Sequence, residues 1–146
     1  LIKAPWPNHE TGDKLVGVNK KKKRFGVDHG WVGYLDAPPD ITDDAWHHVA
    51  WVQRKDDKND EEQWQLFVDG KLEESGHQRT HPDPTNHTLR VGAGLSGSYF
   101  DRAFEGMLDE VRISSAARSA AWIATSFANQ SDPNGFIIVS NTQTLP

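Results

Sequence analysis

Asp109 carries the strongest chemical signal in the chain. Residues 107–113 alternate in character. Met107, Asp109, Val111 and Ile113 fall on one face of an expected strand, and Leu108, Glu110 and Arg112 on the other. The apolar members mark the first face as the core side, so Asp109 is expected to turn a carboxylate inward. A buried carboxylate requires a cation or several donors. Two arrangements meet that need: a calcium ion, or backbone N–H groups with a nearby Arg. Calcium takes about six to eight oxygens, so Asp109 would share the ion with backbone carbonyls and a second acid. Asp101 and Glu105 are the nearby loop acids.

Other chemistries find less support. Glycoside hydrolysis needs two carboxylates that flank one bond. Asp109 and Glu110 point to opposite faces, and Gly106 separates them from Glu105, so no such pair is assembled. His77, His81 and His87 could suit zinc by type, but Pro82 and Pro84 interrupt them and they read as a polar surface loop. No G-x-S-x-G nucleophile motif occurs. Asn86-His87-Thr88 and Asn129-Gln130-Ser131 fit the N-glycosylation sequon, a short and frequent pattern. The chain is therefore expected not to be an enzyme.

Aromatic side chains offer a different chemistry, stacking on sugar rings, because they give large contact area at small entropic cost. Trp6, Trp31, Tyr34, Trp51, Tyr99 and Phe100 are the available set. Tyr99 leads, since it lies in the glycine-rich stretch 92–102. Trp31, between Gly30 and Gly33, and Asp101 complete the expected ligand-binding residues.

The elements that must position these residues are short strands. Lys14 to Asn19 and Phe25 to Asp28 read as a hairpin whose tip holds five consecutive basic residues, Lys20 to Arg24. Such a run could face nucleic acid or an anionic glycan, but charge also suits a solvated tip. Gly30 to Leu35 follows as a strand. Ala37 to Thr42 holds two prolines and cannot be a central strand. Trp46 to Arg54 is apolar on both faces and reads as central. After an acidic loop at 55–62, Trp64 to Val68 forms a strand, and Asp69-Gly70 is a strong hairpin turn leading to Lys71 to Ser75. A long loop, 76–88, precedes a strand at Leu89 to Val91. A helix is expected from about Ser119 to Ala128, with Ser119 as N-cap and Trp122, Ile123 and Phe127 docking its inner face. Phe136 to Val139 reads as a last buried strand. Many short strands and one late helix give an all-β sandwich.

Three ordered motifs resemble a known family. Gly106-x-x-Asp109-Glu110-Val111-Arg112-Ile113-Ser114 is followed by Ala117-Arg118-Ser119, Trp122 and Asn129-Gln130-Ser131-Asp132-Pro133. Upstream lie Trp46-His47-His48-Val49-Ala50 and Leu66-Phe67-Val68-Asp69-Gly70-Lys71-Leu72. In order and spacing these are similar to laminin-G-like domains of the bacterial, concanavalin A-like branch. The resemblance implies a concanavalin A-like jelly-roll sandwich of two antiparallel sheets with one short C-terminal helix. It implies calcium at Asp109, a structural role for the His47-His48 pair, and core positions for Trp46, Trp64 and Trp122. It also implies strands ahead of Leu1, so a larger polypeptide or a partner chain is expected to supply them.

Composition sets the outer limits. The chain has 146 residues, 25% charged and 36% hydrophobic, enough for one globular domain over 1–146. Its net charge of −5 argues against nucleic acid as a partner. No apolar run is long enough to span a membrane, and cysteine is absent. The expectation is a non-catalytic module, secreted or at the cell surface, that holds a glycan or polysaccharide with calcium fixing its loops. The alternative is a protein-interaction or adhesion accessory domain of a larger protein.

Overall fold

The computed structural model describes residues 2–3, 14–19, 21–29, 33–55, 61–79, 89, 91–96 and 99–137. Its first sheet has the order β1 (Ile2–Lys3), β2 (Lys14–Asn19), β3 (Arg24–His29), β4 (Gly33–Asp40), all antiparallel. The register places Val16 beside Val27 and Val27 beside Leu35, one apolar row across three strands. Phe25, two residues from Val27, shares that face, and both are buried.

The basic hairpin tip is closed by Asn19. Its Oδ1 accepts the N–H groups of Lys21 and Lys22, and its carbonyl accepts Lys23 N–H. Three charges of the tip meet acids on β4: Lys22 and Arg24 face Asp36, and Lys23 faces Asp40. β4 continues through Pro38 and Pro39 to Asp40, where a proline-rich loop was expected. Among the described residues it lies at the sheet edge, where a residue without an N–H breaks no ladder.

The second sheet has the order β5 (Val49–Lys55), β6 (Glu61–Val68), β7 (Lys71–Arg79). β6 is buried on both faces. Trp64, Leu66 and Val68 point inward at period two and pack with Phe25, Val27 and Ala37 of the first sheet. Phe67 points outward and packs with Val52 and Ile123. β6, not the 46–54 segment, is therefore the central strand, and β5 begins only at Val49 and lies at the edge among the described residues. The β6–β7 turn has positive φ at Asp69 (50°) and Gly70 (76°), as a two-residue hairpin turn of the primed kind demands. β7 extends to Arg79 and takes in His77, which had been expected in a loop.

β8 (Ala93–Ser96) and β9 (Tyr99–Ala103) form a hairpin across the glycine-rich stretch. Leu89 and Val91 form no strand beyond a single bridge at Val91. Helix α1 (Ala120–Ser131) is capped by Ser119, whose side chain accepts Trp122 N–H at 3.2 Å. Its buried residue Ile123 sits on the outer face of the second sheet. Arg54 ties the helix start to β5 by donating to the Arg118 carbonyl at 2.9 Å and to Gln65 Oε1. A short helix, α2 (Pro133–Phe136), follows. Phe136 and Ile137 are exposed, and the rest of the expected final strand lies outside the described residues.

The segment 107–113 departs most from expectation. It adopts no strand, and Glu110 has a positive φ of 52°. Met107 is 73% exposed and Ile113 68%, with Val111 exposed between them. An alternating sequence defines two faces, but a strand also needs a ladder partner for its N–H and C=O groups. No such partner appears among the described residues.

Candidate functional site

The loop from Ile41 to His48 crosses from β4 in one sheet to β5 in the other. Short polar side chains bond its backbone and fix its path. Asp40 Oδ1 accepts Thr42 N–H and the Thr42 hydroxyl, each at 2.8 Å, and these bonds hold the Asp40 carboxyl below its ordinary pKa. Asp43 Oδ1 accepts Ala45 N–H at 3.0 Å, and Asp44 between them has a φ of 63°. Trp46 follows with 63% of its surface exposed. The expectation that Trp46 lies in the core is therefore corrected: the indole stands on a braced loop between the sheets.

His47 joins this loop to the β6–β7 turn. Its Nε2 lies 2.9 Å from Asp43 Oδ1 and its Nδ1 2.9 Å from Asp69 Oδ2. Asp69 Oδ1 accepts His48 N–H at 3.0 Å, and Asp69 N–H donates to the His48 carbonyl at 2.8 Å. Partial burial pulls the His47 pKa down, but hydrogen bonds to Asp43 and Asp69 and their charges more than restore it, so it stands above 6.5. The His47 hydrogen bond, followed by Ala45 N–H, lowers the Asp43 carboxyl. His48 turns toward α1, with its ring 6.1 Å from that of Phe127. Burial pushes its pKa down, and Arg112 adds to this while Asp69 opposes it.

The arrangement can do two things. The carboxylates of Asp43 and Asp44, both exposed, can accept hydroxyl hydrogens beside an aromatic face. The His47 imidazolium can hold two carboxylates in place at once.

The residues chosen from sequence are placed as follows. Tyr99 and Asp101 both lie on β9, two residues apart, with Tyr99 opposite Ser96 in register. Trp31 lies outside the described residues. Asp109 is exposed, and its Oδ1 accepts Glu110 N–H at 2.8 Å. The argument for an inward carboxylate is therefore overturned, because the face it shares with Met107 and Ile113 meets solvent. Glu110 pairs with Arg112. Among the described residues no group of three or more His, Asp or Glu side chains could hold a metal ion. Asp109 alone does not meet the oxygen count of calcium. Trp64 is core as expected, whereas Trp122 is partly exposed and stacks under Arg118, 5.0 Å from ring to guanidinium. Trp51 packs edge-on against Trp64 and is not an open platform. His81 and His87 lie outside the described residues. Trp46 and Asp43 were missed as site residues. Their signal was present in Asp43-Asp44-x-Trp46-His47, an acidic turn bearing an aromatic.

Comparisons with known proteins agree with this architecture. A family model described as concanavalin A-like lectin/glucanases superfamily, Laminin_G_3, matches residues 9–124. The chain is also similar to a crystal structure of an S-layer domain-containing protein (residues 221–444) from Clostridium thermocellum. That likeness has a TM-score of 0.51 at 16% identity and covers 84% of this chain. It covers 66% of the neighbour, just under two thirds of its length, and shows a shared fold. No curated protein sequence matches the chain.

Proposed function

The chain belongs to the laminin-G-like branch of the concanavalin A-like lectin/glucanases superfamily, and from that premise we propose that it is a non-catalytic module that binds carbohydrate. The observation that carries this reading is Trp46, largely exposed on a loop whose backbone is bonded by Asp40 and Asp43. A rigid aromatic face presents contact area at low entropic cost, and adjacent carboxylates select for hydroxyl groups. Tyr99, Asp101 and Trp31 are proposed as further contacts with a longer glycan. Binding of a soluble polysaccharide panel, read by calorimetry, tests the reading. Trp46→Ala should lower affinity at least tenfold, about 1.4 kcal/mol, with an unchanged melting midpoint. Equal affinity in wild type and variant would remove Trp46 from the site, and no binding across the panel would reject the carbohydrate reading.

Calcium belongs to the proposal only through ligands beyond the described residues, with Asp109 giving one carboxylate. Melting the chain with calcium and with a chelator tests this. A bound ion at a hundredfold excess over its dissociation constant adds about 2.7 kcal/mol. Superimposed melts would remove calcium and leave the sugar reading intact.

A second reading, an adhesion or protein-interaction domain, is favoured by the exposed apolar residues Met107, Val111 and Ile113. Soluble polysaccharide competes with a sugar site and leaves a protein contact unaffected. Either role suits a surface or extracellular location, in line with the S-layer neighbour. No helix of the described residues is long and apolar enough to cross a membrane.

A further inference from the structure

The His47 side chain bonds the loop bearing Trp46 to the opposite hairpin, beside the backbone bonds of His48 to Asp69. Each ring nitrogen lies 2.9 Å from a carboxylate oxygen, Asp43 on one side and Asp69 on the other. A neutral imidazole carries one N–H. In that state one nitrogen would turn its lone pair toward a carboxylate, and one of the two bonds would be lost. Only the imidazolium donates at both ends.

We propose that protonated His47 is a latch that fastens the loop bearing Trp46 to the Asp69–Gly70 turn, and that loss of its proton releases this loop. The two ends of the latch differ in rigidity. Asp69 is held by the backbone of His48 in both directions and sits in a turn whose Gly70 lies against α1. Asp43 is held by one backbone bond to Ala45, within its own loop, and its side chain is half exposed. The bond to Asp43 is therefore the one that yields. When it does, the segment 43–46 is left, among the described residues, with the bond from Ala45 N–H to Asp43, itself no longer braced by the ring.

The groups that face the ring are Asp43 from its own loop and Asp69 from the β6–β7 turn. His48 is the chain neighbour, and Arg112, from the 107–113 segment, acts on His48. Burial of the ring opposes its charge, and the paired carboxylates outweigh that effect. The folded pKa is thus raised above the unfolded value. Such a latch is fully closed below about pH 6.5 and opens as pH rises through the folded value. A histidine is the side chain suited to this range.

The consequence for ligand is that affinity falls as pH rises, and this clause rests on the carbohydrate reading of Trp46. The latch itself is read without any sugar. Histidine ring resonances are followed by NMR over about pH 5 to 9, with His47 assigned by its loss in His47→Gln. Amide hydrogen exchange is followed over residues 43–48 in the same samples, corrected for the intrinsic rate. The expected result is that His47 titrates above its ordinary range, and that protection of Ala45 and His48 N–H differs across that titration: Ala45 loses it, His48 keeps it. Asp43→Asn, a substitution at an exposed site, should lower the His47 pKa and loosen the loop at all pH values. It provides the test should His47→Gln fail to fold. A His47 pKa below the ordinary range, or loop protection constant through its titration, would overturn the latch. A polysaccharide affinity independent of pH with these ring and exchange changes intact would reject only the role of Trp46.

Discussion

Gly70 turns its open Cβ direction toward Phe127, across the hairpin and the helix. A Cβ placed on Gly70 would lie 3.1 Å from Phe127 Cδ1 and 3.2 Å from Ala124 Cα. The turn that closes β6 and β7 is thus also the seat of α1, and the same turn supplies Asp69 to His47. One glycine therefore couples three features: hairpin geometry, helix docking and the polar corner.

Gly70→Ala should be destabilising on two counts. Its φ of 76° is unfavourable for any residue with a Cβ, and the added methyl meets backbone at Ala124. A loss of about 1–3 kcal/mol is expected, read from urea unfolding at constant slope. A stability gain, as glycine-to-alanine gives where φ is negative, would show that the turn has another conformation.

Ile123→Ala tests how α1 is held. Ile123 is the buried residue of the helix and fills the space between Val52 and Phe67. Removing its side chain should cost about 2–5 kcal/mol. Loss of helical signal before the main unfolding transition would accompany it, because Ile123 is the buried residue of the helix. A change under about 1 kcal/mol would mean that the helix docks elsewhere.

Acid should weaken the fold through His48. Burial and Arg112 depress its pKa, so the folded state prefers the neutral ring. The sign follows: this contribution is complete above the unfolded pKa of about 6.5 and is lost as pH falls through the lower folded value. Asp43, also depressed, adds a further loss at still lower pH. His47 acts oppositely, so neighbouring histidines bracket a stability maximum. In His48→Phe the fall in melting midpoint between about pH 6.5 and 5 should flatten, with the lower carboxylate limb retained. An unchanged acid limb would assign that fall to other groups.

Tyr99→Ala addresses the β8–β9 hairpin. Weaker polysaccharide binding with an unshifted melting midpoint is expected, additive with Trp46→Ala if the two side chains contact separate parts of one glycan. Unchanged affinity would confine the site to the Trp46 loop.

What the sequence determined by itself was local. Asp69-Gly70 demanded positive φ at both positions, and the turn has it. Ser119 ahead of an apolar helical face predicted a cap, and its hydroxyl accepts Trp122 N–H. Lys14 to Asn19 and Trp64 to Val68 read as strands, and both lie in strands of the structure. Such features depend on the dihedral preferences and periodicity of a few adjacent residues, so they are readable from adjacent letters. The superfamily motifs added the sandwich.

Tertiary structure decided everything that required a distant partner. Period-two alternation in 107–113 said which residues share a face, yet without a hydrogen-bonded neighbour that face meets water and Asp109 with it. Pro38 and Pro39 could be in a strand because β4 is an edge among the described residues. Trp46 is exposed because its loop passes between sheets instead of within one. His47 is held between Asp43 and Asp69, 22 positions from the second. Hydrogen bonds and burial act through space, and the chain order that sets local geometry carries no direct record of which remote group arrives opposite.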